Sequence, residues 1–505
     1  MRITGEKREC WQKKDRTFVV LLATYALFSI LMVALSMRLW FQVPLTLTQF
    51  EFDYFLGFFR PANLNLVERQ LLLGRLLHFA FFCIVGYLFL VIAHKLLRKQ
   101  ASMTVAEIAG YAALLSTVYA LGMPWVSPDV FCYIGTGWLE GHYGLNPYLH
   151  SVSDVAGFTQ DEMFQNIFPG FLGRSTAYGP LFQIVAKGVA LLSGGNEKLA
   201  LALYKILNLG VHVGASYLVY RIAPKTISHF ALFAYAANPL ILFSVLTCAH
   251  NDHLMNFFLM LALFLLREKR LFWGGCALGA ATCIKYFPLL FLPILAGAVV
   301  LTETERSSIA KRFANAGLVM LGFVSVGIGM YFIYPEYLSP FIKTFSRGGG
   351  DVLRNSIYVV WLLVSQFVTH SSFNVFAGTL RFIFIFSYAL IFTLYLCRLR
   401  RDWFYGAIEV CLIVAVLYFI IVNTANQEWY LTWLLGLAFV LNRDCFHNFG
   451  LKLSALFMPL VIFTVKNPPL IMLFSNLMLY LIVLIYGAKL LWHTLSARSL
   501  WQKQS

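Results

Sequence analysis

Residues 17–40 read TFVVLLATYALFSILMVALSMRLW, and this run carries a single charged residue, Arg38. About 20 consecutive apolar residues are enough to cross the hydrocarbon core of a bilayer as an α-helix. Apolar runs of comparable length recur along the whole chain. In hydrocarbon, each backbone N–H and C=O needs a partner within the spanning structure, so these runs predict helices. The sequence therefore predicts an all-α polytopic membrane protein.

The composition favours the same class. Apolar residues make up 60% of the 505 residues and charged residues only 12%, whereas a soluble domain carries about 25% charged residues. The formal net charge is +16, but Lys and Arg cluster at helix ends and form no stripe of the kind that nucleic-acid binding needs. We therefore expect no nucleic-acid partner. Residues 1–16 are basic, and the run after them is too long for the apolar part of a signal peptide, so we expect it to stay as the first membrane helix.

The distribution of Lys and Arg predicts the orientation of the helices, because cytoplasmic loops are enriched in both. Placing all basic clusters inside gives about fourteen transmembrane helices in a multi-pass protein of the cell membrane, with both termini cytoplasmic. The apolar runs 178–192 and 355–368 must then not cross, and we expect both to form interfacial helices on the outer face. The predicted division is a cytoplasmic tail (1–16), three transmembrane helices (17–124), a first large outer loop with interfacial helices (125–197), further transmembrane helices (198–335), a second outer segment (336–375), C-terminal transmembrane helices (376–493) and a cytoplasmic tail (494–505).

The segment 127–138, SPDVFCYIGTGW, follows the third predicted crossing directly. Asp129 begins a predicted short helix, and Tyr133 lies one turn later on the same face. An acid in the first turn of a helix is also stabilised by the helix dipole alone. A structural role for Asp129 therefore stays open beside a catalytic one.

Residues 250–253, HNDH, place four consecutive polar residues between two apolar runs. Such residues are costly in a membrane unless they meet water, a ligand or each other. Asp252 is alternatively the cap of the helix that begins there. His250 and His253 could ligate a metal, but the sequence places no third ligand beside them, so we expect no metal.

Lys285, Lys205 and Arg381 are basic residues within or beside apolar runs on the predicted outer side. Lys285 occurs at the break between two short apolar segments, where a charge is a functional candidate by default. Reaching to the lipid headgroups is the alternative for its long side chain. For Lys205 and Arg381, one to two turns from the outer ends of their helices, reaching to the headgroups is the favoured interpretation.

Residues 347–354, RGGGDVLR, lie in the second outer segment. Consecutive glycines allow backbone N–H groups to surround an anion. The guanidinium groups of Arg347 and Arg354 can each add bidentate hydrogen bonds to a phosphate. A plain loop is the alternative.

Residues 423–430, NTANQEWY, form a tight outer connection rich in hydrogen-bonding groups. Gln427 and Glu428 suit the hydroxyls of a sugar. Trp429 and Tyr430, beside them, are of a type common at the membrane interface.

In this order, the motifs resemble those of bacterial polyprenyl-phosphate-mannose-dependent α-mannosyltransferases of the GT-C superfamily. The resemblance covers about residues 125–435. It rests on DVFCY (129–133), GLNPY (144–148), YGPL (178–181), NPL (238–240), HND (250–252), CIKYFP (283–288) and QEWYLTW (427–433). Many GT-C members have a second acid close to the first in the first loop, whereas here Asp129 is followed by no other acid before Glu140.

The resemblance implies a GT-C fold and an inverting transfer of a hexose, with mannose favoured. The implied donor is a polyprenyl-phosphate sugar, and the implied acceptor is a glycan, lipoglycan or other cell-envelope molecule on the non-cytoplasmic face, among membrane lipids. It implies Asp129 as the catalytic base, and neither a cofactor nor a metal. Lys285 is the first candidate for the donor phosphate, followed by Arg347, Arg354 and Arg381. The residues expected to bind sugar or acceptor are Tyr133, Asn146, Tyr148, Tyr178, His250, Asn251, Asp252, Tyr286, Gln427, Glu428 and Trp429.

Other classes of membrane protein remain open at this point. A flippase for lipid-linked glycans would use central charges as a substrate path, but its sites are expected near the midplane and between repeats. The sequence shows no repeat, and its polar motifs fall on one predicted face. A polysaccharide polymerase or ligase, or a glycolipid-binding protein without activity, would also carry a large outer loop.

Overall fold

The computed structural model describes residues 5–42, 66–124, 126–302, 308–338, 373–398, 403–423, 427–460 and 485. All regular secondary structure in these ranges is helical, which confirms the predicted all-α class. The α-helices, numbered in chain order, are α1 (Gly5–Gln42), α2 (Leu66–Leu97), α3 (Val105–Leu121), α4 (Asp129–Gly141), α5 (Pro180–Ser193), α6 (Glu197–Ile222), α7 (Ser228–Ala236), α8 (Pro239–Leu242), α9 (Asp252–Arg267), α10 (Leu271–Thr282), α11 (Leu292–Thr302), α12 (Ile309–Ile333), α13 (Phe373–Arg398), α14 (Trp403–Leu417), α15 (Thr432–Val440) and α16 (Asp444–Leu460).

Within the described ranges, seven helical segments are long and apolar enough to cross a membrane. They are Arg16–Arg38, Leu76–Leu97, Glu197–Ile222, Ser228–Thr247, Ile309–Ile333, Val375–Leu396 and Trp403–Val422. Five shorter apolar helices, of 10–17 residues, accompany them. The count of fourteen crossings stays a prediction. The run at 178–192 overlaps α5 (Pro180–Ser193), which has 14 residues, whereas the run at 355–368 lies outside the described residues.

Irregular helical turns occur beside the polar motifs. A π turn, Phe243–Thr247, follows α8 and leads to the 250–253 motif. A second π turn, Tyr418–Val422, follows α14 and leads to the 423–430 motif. A 3-10 turn, Phe287–Phe291, follows Lys285 and contains Pro288, which cannot donate a helical hydrogen bond. π turns inside helices are frequent at functional sites, so this irregular backbone marks one region of the bundle.

At the helix ends away from the polar motifs, basic residues connect neighbouring helices. Arg267, at the end of α9, donates to the carbonyls of Arg221 and Ile222 at the end of α6 over 2.6 and 2.8 Å. Arg98, just after α2, lies 3.3 Å from the carboxylate of Asp444 at the start of α16. Several of the clusters used to predict orientation therefore contact each other or neighbouring backbone at the ends of these helices.

Candidate active site

Asp129 is the first residue of α4 and follows Pro128, whose fixed φ turns the chain into the helix. The positive end of the helix dipole favours a carboxylate at this position. The Asp129 side chain is 20% exposed, and its Oδ2 lies 3.8 Å from Nδ1 of His250. A partly accessible carboxylate in this position can both be held by the fold and meet a ligand, so the two roles weighed from the sequence are compatible.

The backbone before His250 has an unusual conformation. Ala249 is buried and adopts a left-handed φ of 54°, which costs about 1–2 kcal/mol for a residue with a side chain. The N–H of His250 donates to the carbonyl of Ser244 over 3.1 Å, which holds the turn against the preceding π segment. The His250 ring stacks on Trp429, with centroids 4.0 Å apart and an interplanar angle of 19°.

His250 is a neutral imidazole in this setting. Its side chain is 1% exposed. Burial, with a smaller contribution from the nearby charge of Lys285, holds the pKa of His250 well below its ordinary value. Burial removes the hydration that a charged ring needs, and the Asp129 carboxylate 3.8 Å away does not offset that loss. His250 therefore offers Asp129 a neutral neighbour.

Lys285 and Asp252 form a buried ion pair. Lys285 Nζ donates to Asp252 Oδ1 over 2.6 Å, and the two side chains are 13% and 2% exposed. The indole N–H of Trp433 donates to the same oxygen over 2.7 Å. Three rings surround the ammonium, with centroids 5.8 Å away for Tyr178, 4.9 Å for Tyr430 and 5.5 Å for Trp433. Ring faces attract cations, so this arrangement fixes one positive charge.

Tyr133 and Tyr178 join the Asp129 end of the site to the Lys285 end. The Tyr133 hydroxyl lies 3.4 Å from Nδ1 of His250 and 3.4 Å from Oδ1 of Asn251. The rings of Tyr133 and Tyr178 meet edge to face with centroids 5.0 Å apart. Burial raises the pKa of the Tyr133 hydroxyl well above its usual value, and Tyr178, Asp129 and Asp252 raise it further. The carboxylates of Asp129 and Asp252 are therefore both close enough to raise the pKa of the Tyr133 hydroxyl.

The segment carrying Tyr178 is attached to the segment carrying Lys285 by backbone groups. The N–H of Gly179 donates to the carbonyl of Ile284, and the N–H of Leu181 donates to that of Cys283, each over 3.0 Å. A Cβ atom on Gly179 would overlap the Cys283 carbonyl. Only glycine permits this approach, which places Tyr178 beside Lys285.

Three consecutive residues present buried polar atoms that have no hydrogen-bond partner among the described residues. These atoms are Nε2 of His250, Nδ2 of Asn251 and Oδ2 of Asp252. Buried polar atoms in folded proteins are nearly always paired. A carboxylate oxygen accepts, an amide NH₂ donates, and an imidazole nitrogen does either. The set is chemically suited to the hydroxyls of a polyol.

Other residues predicted to bind sugar lie around this cluster with their polar groups engaged. Asn146 Nδ2 donates to Glu336 over 3.1 Å, which joins the two predicted outer segments. The Tyr148 hydroxyl donates to the carbonyl of Tyr178 over 2.9 Å. The Tyr286 and Tyr418 hydroxyls lie 3.1 Å apart. Their roles toward a ligand stay predictions.

Two of the predicted site residues, Arg347 and Arg354, fall outside the described parts of the chain. Gln427 and Glu428 begin the turn that carries Trp429, but only the backbone of Glu428 is described. Arg381 lies on α13, and its buried Nε has no hydrogen-bond partner among the described residues.

Sequence reasoning missed two aromatic residues of the Lys285 site, Tyr430 and Trp433. Both lie in the QEWYLTW motif, and Trp433 follows Trp429 by four residues, the spacing of one helical face. Lys205 also differs from expectation. Its ammonium donates to the carbonyls of Ala120, over 2.8 Å, and Gly122, because carbonyls at the end of a helix lack helical partners.

In the described ranges, no group of three or more His, Cys, Asp or Glu is placed to hold a metal ion. The expectation that the protein needs no metal or cofactor stays a prediction.

An all-helical protein with membrane-length helices and a carboxylate–ammonium cluster beside broken helices fits the class of GT-C-like glycosyltransferases. Residues 61–301 match the MptA_B family, described as alpha-(1->6)-mannopyranosyltransferase, N-terminal domain. That stretch includes Asp129, His250 and Lys285, whereas Trp429 and Trp433 follow it. The match supports the predicted resemblance to a GT-C-like mannosyltransferase family.

Individual relatives agree with the family match. Alpha-(1->6)-mannopyranosyltransferase A of Corynebacterium glutamicum is 25% identical over 228 residues, which are 42% of this chain and 45% of that protein. Alpha-(1->6)-mannopyranosyltransferase A of Mycobacterium tuberculosis is 27% identical over 215 residues, which are 41% of this chain and 40% of that protein. The similarity thus spans less than half the length of either relative.

Proposed function

We propose that this protein is a membrane mannosyltransferase that uses a polyprenyl-phosphate-linked donor and an acceptor glycan or lipoglycan on the non-cytoplasmic face. The supporting observation is that Asp129 and Lys285, 156 positions apart in the numbering, belong to one cluster joined by Tyr133 and Tyr178. One end of the cluster offers a carboxylate, and the other offers a fixed cation. Transfer of a sugar from a lipid phosphate needs both.

Asp129 acts as the base in this proposal. Its carboxylate takes the proton of an acceptor hydroxyl while the hydroxyl oxygen forms a bond to the anomeric carbon. The bond from that carbon to the phosphate oxygen breaks, and its electron pair stays on the polyprenyl phosphate. One displacement inverts the anomeric centre, so the α linkage in the relatives' names would require a β-linked donor.

Lys285 stabilises the leaving phosphate, whose negative charge grows as the bond breaks. An ammonium has three N–H donors, and one of them is already directed at Asp252. The surrounding rings help to hold the ammonium in place. Because Asp252 balances its charge, the phosphate is proposed to bind the two remaining N–H groups. Arg381 and the arginines Arg347 and Arg354 are further proposed phosphate contacts.

The sugar is proposed to contact the three unpartnered polar atoms at 250–252. Those atoms lie between the base and the cation in the chain of contacts, because His250 approaches Asp129 and Asp252 binds Lys285. Trp429, stacked on His250, offers its other face to a sugar ring. Gln427 and Glu428 complete the proposed set.

The test is transfer by the purified full-length protein in phospholipid nanodiscs. Polyprenyl-phosphate [³H]mannose serves as donor and octyl α-D-mannopyranoside as acceptor probe. Asp129→Asn should lower kcat at least about a thousandfold while donor binding stays within about twofold. Lys198→Met, an exposed change on α6, is the matched control. Transfer by Asp129→Asn at the wild-type rate, or no transfer by wild type with any polyprenyl-phosphate hexose, would overturn the proposal.

A further inference from the structure

Helix α6 carries a stripe of polar residues in a membrane-length segment. Lys205, Asn208 and His212 are spaced i, i+3 and i+7, which places them on one helical face. Asn208 and His212 are each 2% exposed. Polar residues inside membrane segments are expensive and usually face the interior of the bundle for a reason. The partners of this stripe indicate that reason.

Lys205 holds the backbone that leads to Asp129. Its ammonium donates to the carbonyls of Ala120 and Gly122 at the end of α3, a position where helix carbonyls lack partners and a cation is favoured. Six residues separate Gly122 from Asp129. The position of the helix end therefore limits where α4 can begin.

Asn208 holds the backbone that carries His250. Its side-chain NH₂ donates to the carbonyl of Val245 over 3.0 Å and to that of His250 over 3.3 Å. Val245 lies in the π turn and His250 beyond the left-handed Ala249. One amide thus joins both sides of this irregular turn to α6.

His212 continues the stripe. Its Nε2 lies 3.0 Å from the carbonyl of Ala236 and therefore donates to it. Its Nδ1 lies 3.2 Å from Nε2 of His253, next to Asp252. The ends of α3, α7 and the 245–253 segment are therefore all fixed to one face of α6.

A direct contact couples the first two segments. The Thr247 hydroxyl donates to the carbonyl of Tyr119 over 2.8 Å. A Cβ atom on Gly122 would approach the Thr247 side chain to 2.9 Å. The end of α3, which precedes Asp129 in the chain, is thus in contact with the π turn, which precedes His250.

We propose that Lys205 and Asn208 are positioning residues, which set the placement of Asp129 and His250 relative to each other through backbone carbonyls. His212 extends the same attachment to the start of α9. This inference rests on the proposed function for its kinetic consequence. Misplacing a reacting group by about 1 Å can reduce a rate a hundredfold.

The kinetic test uses the full-length protein and the donor and acceptor probes described above. Lys205→Met and Asn208→Leu should each lower kcat about ten- to a hundredfold, with the donor KM within about twofold. Lys205→Arg keeps a cation and N–H donors and should recover most of kcat. Lys198→Met, which removes the same charge from an exposed position of the same helix, should match wild type.

A combination of variants separates positioning from general support of the fold. If Lys205 acts through Asp129, Lys205→Met in the Asp129→Asn background should lower the residual rate by less than about twofold. A full, multiplicative loss in that background would overturn the proposal, as would wild-type kcat for Lys205→Met and Asn208→Leu.

A spectroscopic measurement makes the inference independent of activity. Because His250 stacks on Trp429, Asn208→Leu should shift the ¹⁹F resonance of 5-fluorotryptophan at Trp429, assigned with Trp429→Phe. Lys198→Met should leave that resonance in place. An unshifted resonance in Asn208→Leu overturns the positioning role even if transfer is never observed, whereas absent wild-type transfer with a shifted resonance counts against the proposed function alone.

Discussion

Two lysine–carboxylate pairs near the predicted first outer segment have similar chemistry and different surroundings. Lys187 donates to Glu140 over 3.1 Å, and the Tyr334 hydroxyl donates to the same oxygen over 2.7 Å. The other Glu140 oxygen accepts from Gln183 over 3.3 Å. Both oxygens of Glu140 are therefore occupied, and the pair joins α4, α5 and the end of α12.

The Lys285–Asp252 pair is different in two respects. Oδ1 of Asp252 accepts two short hydrogen bonds, but its buried Oδ2 has no hydrogen-bond partner among the described residues. Lys285 is 13% exposed, whereas Lys187 is 42% exposed. A pair whose carboxylate oxygens both have hydrogen-bond partners supports the fold. A buried pair with one carboxylate oxygen lacking a partner can bind a donor group of a ligand. We therefore expect different responses to substitution.

Among substitutions in the two pairs, the largest effect is expected at Lys285. Lys285→Met removes the cation for the leaving phosphate and should lower kcat about a hundred- to a thousandfold. It also leaves the Asp252 carboxylate buried without its partner, which should lower the free energy of unfolding by about 3–5 kcal/mol. Thermal unfolding in detergent and the transfer assay measure the two effects.

A double variant distinguishes these two consequences. Lys285→Met with Asp252→Asn removes both charges, so most of the stability should return while transfer stays low. Recovery of transfer in the double variant would show that Lys285 serves only to neutralise Asp252.

A smaller effect is expected for His250, the neutral neighbour of Asp129. His250→Gln keeps a polar group but loses the stacked ring, and kcat should fall about tenfold. Because the pKa of His250 is held well below its ordinary value, the folded chain leaves this ring neutral where the unfolded chain protonates it.

That difference predicts how stability depends on pH. The contribution of the neutral ring is fully present above about pH 6.5 and is lost as the pH falls below it, by at most about 1.4 kcal/mol per pH unit. Denaturant unfolding between pH 5 and 8 should show a shallower decline for His250→Gln than for wild type. Equal slopes would contradict the depressed pKa.

The smallest effect is expected at the Lys187–Glu140 pair, whose carboxylate oxygens both have partners. Glu140→Gln keeps one acceptor oxygen for Lys187 and Tyr334 but turns a donating NH₂ toward the side-chain amide of Gln183. It also removes the charge opposite the half-exposed Lys187, so the free energy of unfolding should fall by about 1–2 kcal/mol. Transfer should remain within about twofold of wild type. Lys187→Met is the matching change on the other side. A hundredfold loss of kcat in either variant would erase the distinction between the two pairs.

The sequence predicts the helical class, and it singles out residues that the structure brings into one candidate site. Asp129, His250 and Lys285 were identified because charges and consecutive polar residues beside apolar runs require partners. Those partners were only partly predictable, since they come from distant parts of the chain. The pairing of Lys285 with Asp252 and the ring of Trp433 follow from how α9, α10 and α15 meet.

Other features depend on backbone geometry that residue patterns do not specify. The left-handed turn at Ala249 occurs at a residue that does not favour it, and nothing local indicates the π turns at 243–247 and 418–422. The number of crossings also depends on short helices such as α5 and α10, which are shorter than the hydrocarbon thickness and therefore give ambiguous signals.

The backbone attachment at Gly179 has a consequence for altering substrate range. Because main-chain N–H groups hold the Tyr178 segment to the Lys285 segment, the attachment does not depend on the identity of neighbouring side chains. Side chains that line the cluster can thus be exchanged in a mutant library while the Tyr178 and Lys285 segments keep their spacing. Position 179 is the exception. In a library that randomises it, most variants would separate the Tyr178 ring from the Lys285 ammonium.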